Sequence, residues 1–192
     1  MNNPSPLPSR ARPTSGRRLL LVLLLLFAAP LGLAFWLYYG SSWRPLAHTN
    51  HGTLIDPARP LANPGVLAGK WSLVVIGSGE GGCDAACRET LVYARQTWLS
   101  LGRELARVQR VLLAPAGCCD AEYLRREHDG LLALDATTPG AAALLAQFPS
   151  PTADGIYVVD PRGNLMMRYD VHLDPKGLRL DLKKLLDLSH IG

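Results

Sequence analysis

From Leu19 to Tyr39 the chain carries 21 residues without a single charge, most of them leucine, alanine or aromatic. An α-helix rises about 1.5 Å per residue, so about 20 such residues cross a hydrocarbon layer about 30 Å thick. The run predicts a transmembrane helix over 19–39. Arg10, Arg12, Arg17 and Arg18 precede it, whereas only Arg44 and Arg59 follow at short range. That arginine bias predicts a cytoplasmic basic tail over 1–18 and an exported remainder. A cleaved signal peptide shares the basic start, but the run outlasts a typical signal core. Trp36, Tyr38 and Tyr39 at its far end suit an interfacial belt better than a small-residue cleavage site. The pair Arg17-Arg18 is an ordinary topology determinant, and we give a twin-arginine export signal little weight.

The formal charge of +4 comes entirely from this tail, which holds four arginines and no acid before residue 41, leaving sixteen basic and sixteen acidic residues. The exported part has no basic excess, which argues against nucleic acid as a partner. Residues 40–64, rich in Pro, Asn, Gly and His without helical or strand periodicity, read as a linker. Residues 65–192 suffice for one domain with its own core. Cysteines facing an oxidising space are expected to be bonded, redox-active or metal-bound, and there are four.

Trp71 to Ile76 is a short apolar, β-branched run stopped by glycines, as expected of a buried strand feeding a loop. Cys87, Leu91, Ala94, Trp98 and Leu101 then recur at spacings of four and three, the stripe of a helix packed on a sheet, with Gly102 as its stop. Val108 to Leu113 reads as a second buried strand, Ala121 to His128 as a short helix, Leu131 to Leu134 as a third strand and Gly140 to Phe148 as another helix. Strands at Ile156 to Val159 and Asn164 to Tyr169 flank Asp160-Pro161-Arg162-Gly163, a type I turn signature and hence a hairpin. Asp174 and Pro175 offer a cap and first position for a closing amphipathic helix carrying Leu178, Leu182, Leu185 and Leu186. The order predicts an α/β domain built on a βαβ unit followed by a hairpin, the thioredoxin-like layout, behind a single N-terminal transmembrane helix.

The two strands of a βαβ unit are parallel, so their carboxyl ends share one edge of the sheet. Cys83 and Cys87 follow the first strand, and Cys118 and Cys119 follow the second. All four thiols are therefore expected at the edge where open α/β sheets place their sites. Residues four apart on a helical turn face the same way, so Cys83 and Cys87 can close a disulfide or hold a soft metal ion. At a helix N-terminus the free N–H groups and the helix dipole stabilise a thiolate. Arg88 would assist and Asp84 would oppose, unless Asp84 is the helix cap. The structural alternative is a fixed disulfide with Cys87 as a small core residue. Cys118 and Cys119 either join the site as weaker metal ligands or line a strand end. His48 and His51 in the linker, His128 at the end of a short helix, His172 before the last helix and the terminal His190 are weaker ligand candidates, and of Met166 and Met167, soft enough for Cu(I), at least one should face the core.

Taken together, these segments resemble the small membrane-anchored, thioredoxin-like proteins related to the Sco/SenC copper chaperones of bacterial haem-copper oxidase assembly. The resemblance rests on the anchor, on Asn50-His51-Gly52-Thr53-Leu54-Ile55 with Pro57 and Pro60-Leu61, and on Gly69-Lys70-Trp71. It continues in Cys83-Asp84-Ala85-Ala86-Cys87-Arg88, in Tyr157 to Arg168, and in Asp174-Pro175-Lys176. It implies an inner-membrane cytochrome c oxidase assembly factor with a periplasmic domain, using Cys83 and Cys87 as catalytic thiols or as Cu(I) ligands. The implied partner is an oxidase subunit or another periplasmic thiol or copper client. Two departures stand out. Sco proteins place Pro after the second cysteine, where this chain has Arg88, and a histidine ligand where this chain has Thr152. Loss of the imidazole argues against a Sco-type Cu(II) site, while thiolates suit Cu(I). A second class of function is a non-catalytic interaction module braced by a structural disulfide. A general thiol oxidoreductase is disfavoured because Cys-x-x-Cys is absent.

Overall fold

The structure, a computed structural model, describes residues 15–40, 49–77, 83–115, 117–149, 155–170 and 176–192. It divides into Met1–His48 and Thr49–Gly192. In the first unit, helix α1 (Ser15–Gly40) contains a 25-residue stretch, Gly16–Gly40, with mean hydropathy 2.6 across its 18-residue window. At about 1.5 Å per residue that stretch is long enough to cross a membrane. Phe35 and Tyr39, one turn apart, stack with ring centroids 4.5 Å apart, and Tyr38 meets Tyr39 edge-on. The aromatic rings thus gather at the end of the span, as an interfacial belt requires.

The second unit is a six-stranded sheet in the order β1-β6-β5-β2-β3-β4. Its strands are β1 (Thr53–Pro60), β2 (Trp71–Ile76), β3 (Val108–Ala114), β4 (Leu131–Asp135), β5 (Gly155–Val159) and β6 (Asn164–Asp170). Helix α2 (Ala85–Leu99) crosses from β2 to parallel β3, and α3 (Ala121–Glu127) from β3 to parallel β4. Helix α4 (Pro139–Leu145) follows β4, the antiparallel hairpin β5–β6 continues the sheet, and α5 (Gly177–Leu188) closes the chain. Every residue of β2 is buried, because side chains alternate between two covered faces. Leu73 and Val75 point to a core with Leu91, Ala94, Leu178 and Leu182 from α2 and α5. Val74 and Ile76 point to the opposite core with Leu67, Leu144 and Phe148.

The hairpin turn forms as its residues predict. Gly163 N–H donates to the Asp160 carbonyl at 2.9 Å, and the Asp160 carboxylate accepts from the Arg162 and Asn164 backbone N–H groups at 2.9 and 2.8 Å. Gly163 has φ +84°, and a Cβ there would lie 2.7 Å from Pro64. The expected linker needs correction. Residues 53–60 form the edge strand β1, which pairs Thr53 with Arg168 and Pro60 with Asn164 across a bulge between Leu54 and Arg59. A largely exposed edge strand interrupted by Pro57 has no inward apolar alternation, so periodicity could not reveal it. Helix α5 starts after Lys176, which makes no side-chain cap. Asp174 and Pro175, expected to start it, lie outside the described residues.

Candidate functional site

The site is built where β2 and β3 end. Beyond β2, Gly77 N–H donates to the Leu113 carbonyl at 3.0 Å, keeping the two chain ends side by side. A side chain at Gly77 would meet Ala114 Cβ at 2.6 Å and Cys118 Sγ at 2.9 Å, so glycine is what lets the segment after β3 fold over this edge. Asp84 is the N-cap of α2, its Oδ1 accepting the Cys87 N–H at 2.8 Å. This satisfies one of the otherwise free N–H groups of the first turn. Cys83 and Cys87, with Cα atoms 5.2 Å apart, are joined in a disulfide. The Cys83 N–H donates to the Cys118 carbonyl, tying the two cysteine segments together through the backbone.

The four cysteines divide into three and one. The sulfurs of Cys83, Cys87 and Cys119 all lie within 4.8 Å of one another. Cys118 is a free thiol packed in the core against Gly77. The disulfide is largely covered, with Cys83 6% and Cys87 1% exposed, while Cys119 is half-buried. Burial, with the neighbouring Cys118 thiol, pushes the Cys119 thiol up to about 12, only partly countered by a backbone hydrogen bond at Cys83 and the charge of Arg88. Arg88 Nε donates to the Cys83 carbonyl at 3.2 Å, and its guanidinium lies 5.1 Å over the Tyr123 ring. The residue standing where the Sco proteins have proline therefore places a positive charge beside the sulfurs.

No described histidine joins these sulfurs. His128 is buried, with Nε2 3.1 Å from the Tyr123 hydroxyl, and burial followed by the charges of Arg110 and Arg95 lowers its pKa. His51 Nδ1 sits 2.9 Å from Asp181 Oδ1, and His190 is exposed at the C-terminal end. His48, His172 and Thr152 lie outside the described residues. Met167 is buried in the core and Met166 is half-buried at its margin.

Two polar centres escape sequence reasoning. Arg110 sits in the middle of β3, buried, with its guanidinium 4.5 Å over the Trp98 ring and Nη2 donating to the Asp129 carbonyl. Asp181 interrupts the apolar stripe of α5 and accepts from the His51 and Gly52 backbone N–H groups and from the Tyr169 hydroxyl at 2.7, 3.2 and 2.6 Å. A lone charge inside each apolar pattern was the available signal, but its partners lie far away in sequence.

Residues 71–189 match the family model described as transmembrane-like, thioredoxin-like, C-terminal domain. The chain belongs to this family. No curated protein matches it. Among solved structures, apo Sco1 from Thermus thermophilus is 20% identical with a TM-score of 0.54, over 76% of this chain and 100% of that one. Copper-bound yeast Sco1 is also 20% identical, with a TM-score of 0.53, over 64% of this chain and 82% of that one. Arabidopsis thaliana ScoI with copper bound is 17% identical with a TM-score of 0.50, over 65% of this chain and 88% of that one. These likenesses establish a Sco-like thioredoxin fold, here following an N-terminal helix fit to serve as a membrane anchor.

Proposed function

We propose that this protein is a bacterial inner-membrane assembly factor for cytochrome c oxidase, with its N-terminus cytoplasmic and its thioredoxin-like domain periplasmic. There Cys83 and Cys87 carry out thiol–disulfide exchange with a client or transiently hold Cu(I) as cargo. The observation that carries this reading is the closed Cys83–Cys87 pair at the capped N-terminus of α2, on the carboxyl edge of the sheet. The copper named in the yeast and Arabidopsis Sco structures, on the same fold, supports the choice of metal.

The exchange balances within the two partners. A client thiolate attacks Cys83 Sγ, a mixed disulfide forms, the Cys83–Cys87 bond breaks, and Cys87 leaves as a thiolate within the first turn of α2. A second client thiol, deprotonated, displaces Cys83. The client ends as a disulfide and the pair as two thiols. In reverse, Cys83 is the attacking thiol and Cys87 the resolving one. Once reduced, the two thiolates form a soft donor pair suited to Cu(I).

A second reading draws on the burial of both bonded sulfurs: the disulfide braces the fold, and the domain surface binds an oxidase subunit. Counting free thiols at controlled potentials separates the two readings. Reversible reduction well above about −300 mV supports exchange, whereas resistance below that value supports a brace. Cys83→Ser and Cys87→Ser should each abolish oxidase maturation, and normal maturation in both would overturn the thiol mechanism.

A further inference from the structure

We propose that Cys119 is the third ligand of a three-thiolate Cu(I) site completed by Cys83 and Cys87 when their disulfide is reduced. The inference rests on the copper half of the function proposed above and assigns the donor that takes the place of the missing imidazole.

Three observations carry it. First, the three sulfurs already lie within 4.8 Å of one another although they come from two separate chain segments, one before and within the first turn of α2 and one after β3. A single ion at their centre would need only side-chain adjustment. Second, the vicinal cysteines are not equivalent. Cys118 is committed to the core against Gly77, while the Cys119 sulfur joins the pair. Third, the metal-bound state is electrostatically provided for. Three thiolates around Cu(I) carry two net negative charges; Arg88 brings a positive charge to that spot, while the Asp84 carboxylate capping α2 offsets part of the helix N-terminal potential. Thiolate sulfur is the donor type that selects Cu(I), and a three-sulfur group falls one short of the four ligands of a closed tetrahedral Zn(II) site.

The chemistry balances with an external dithiol as reductant. It takes up the disulfide, becoming oxidised itself, and leaves Cys83 and Cys87 as thiols. Cu(I) then enters, three S–H bonds give way to three Cu–S bonds, and three protons leave to solvent.

The test uses the full chain in detergent, reduced with a dithiol that is then removed without oxygen, and loaded with one equivalent of Cu(I). X-ray absorption should count three sulfur neighbours in the wild type and in Cys118→Ala, and two in Cys119→Ser. Competition with a Cu(I) chelator should show affinity falling about tenfold or more in Cys119→Ser, since losing a ligand should cost at least what losing its supporting partners does. Two sulfurs in the wild type, or three in Cys119→Ser, would overturn the assignment. Copper held tightly by two sulfurs would leave the copper reading of the pair standing and remove Cys119 alone. No copper bound by the wild type would remove both. The wild-type sulfur count decides the matter even if Cys119→Ser fails to fold.

Discussion

Cys119 and Asp181 are single residues whose chemistry is set by what surrounds them. The thiolate is the reactive form of cysteine. With burial holding the Cys119 thiol up to about 12, its alkylation in the oxidised protein should be slow at neutral pH. The rate should climb about tenfold per pH unit between roughly pH 7 and pH 9. Iodoacetamide labelling followed by mass spectrometry reads this directly, and a rate that is flat over the same range would mean the thiolate is already formed. Asp181 shows the opposite balance. Burial alone would raise its pKa, but the hydrogen bonds from His51 and Tyr169 and from the His51 and Gly52 backbone more than offset it, so the carboxyl stays below its ordinary range. A depressed folded-state pKa adds stability in full above the unfolded value near 4, and that stability drains away as pH falls through the folded value. Asp181→Asn should therefore cost about 1–3 kcal/mol at pH 7, because Asn presents N–H donors to groups that need an acceptor. The gap should begin to narrow below about pH 4, as the unfolded-state carboxyl takes up its proton, and close as pH falls through the lower folded-state value. Urea unfolding of both proteins at pH 7 and pH 3 checks the magnitude and the sign.

At the scale of elements, the N-terminus of α2 joins fold and chemistry. Asp84 caps the helix that presents Cys87, so Asp84→Ala should lower stability by about 1 kcal/mol in denaturant titration, with the Cys83–Cys87 bond still forming. An unchanged midpoint would mean that water replaces the carboxylate at no cost. The elements readable in the sequence are those whose burial is written locally. β2 is almost wholly apolar and β3 ends in an apolar run because both faces are covered, the β5–β6 turn is specified by Asp160 and Gly163, and α2 and α5 carry apolar stripes, that of α5 broken by Asp181. β1 is the contrary case, since its place is fixed by backbone pairing to β6 rather than by side chains of its own. The gathering of sulfur at one edge was likewise legible from βαβ topology, because parallel strands end together. Which of the two vicinal cysteines would face the pair was not, since that depends on Cys118 filling the space left by Gly77. The same holds for Arg110 and Asp181, whose partners Trp98, His51 and Tyr169 become neighbours only through the tertiary fold.

At the scale of the whole molecule, the disulfide and the anchor make a joint demand. A stable Cys83–Cys87 bond needs an oxidising compartment, and the arginines ahead of the apolar run are what would send the domain there. Only Arg44 and Arg59 follow the apolar run at short range, so few basic residues oppose that orientation. We predict that alkaline phosphatase fused after Gly192 is active and a cytoplasm-dependent fluorescent protein fused there is dark. The intact mass of the membrane-extracted protein should retain residues 1–39. Replacing Arg10, Arg12, Arg17 and Arg18 with glutamate should remove the bias, reduce the phosphatase signal, and lower the fraction of Cys83 protected as a disulfide in step with it. The link between these two readouts is what discriminates. Loss of phosphatase activity with full retention of the disulfide would mean that the bond forms without export, and a mass lacking the apolar run would mean that the run is a cleaved leader rather than an anchor.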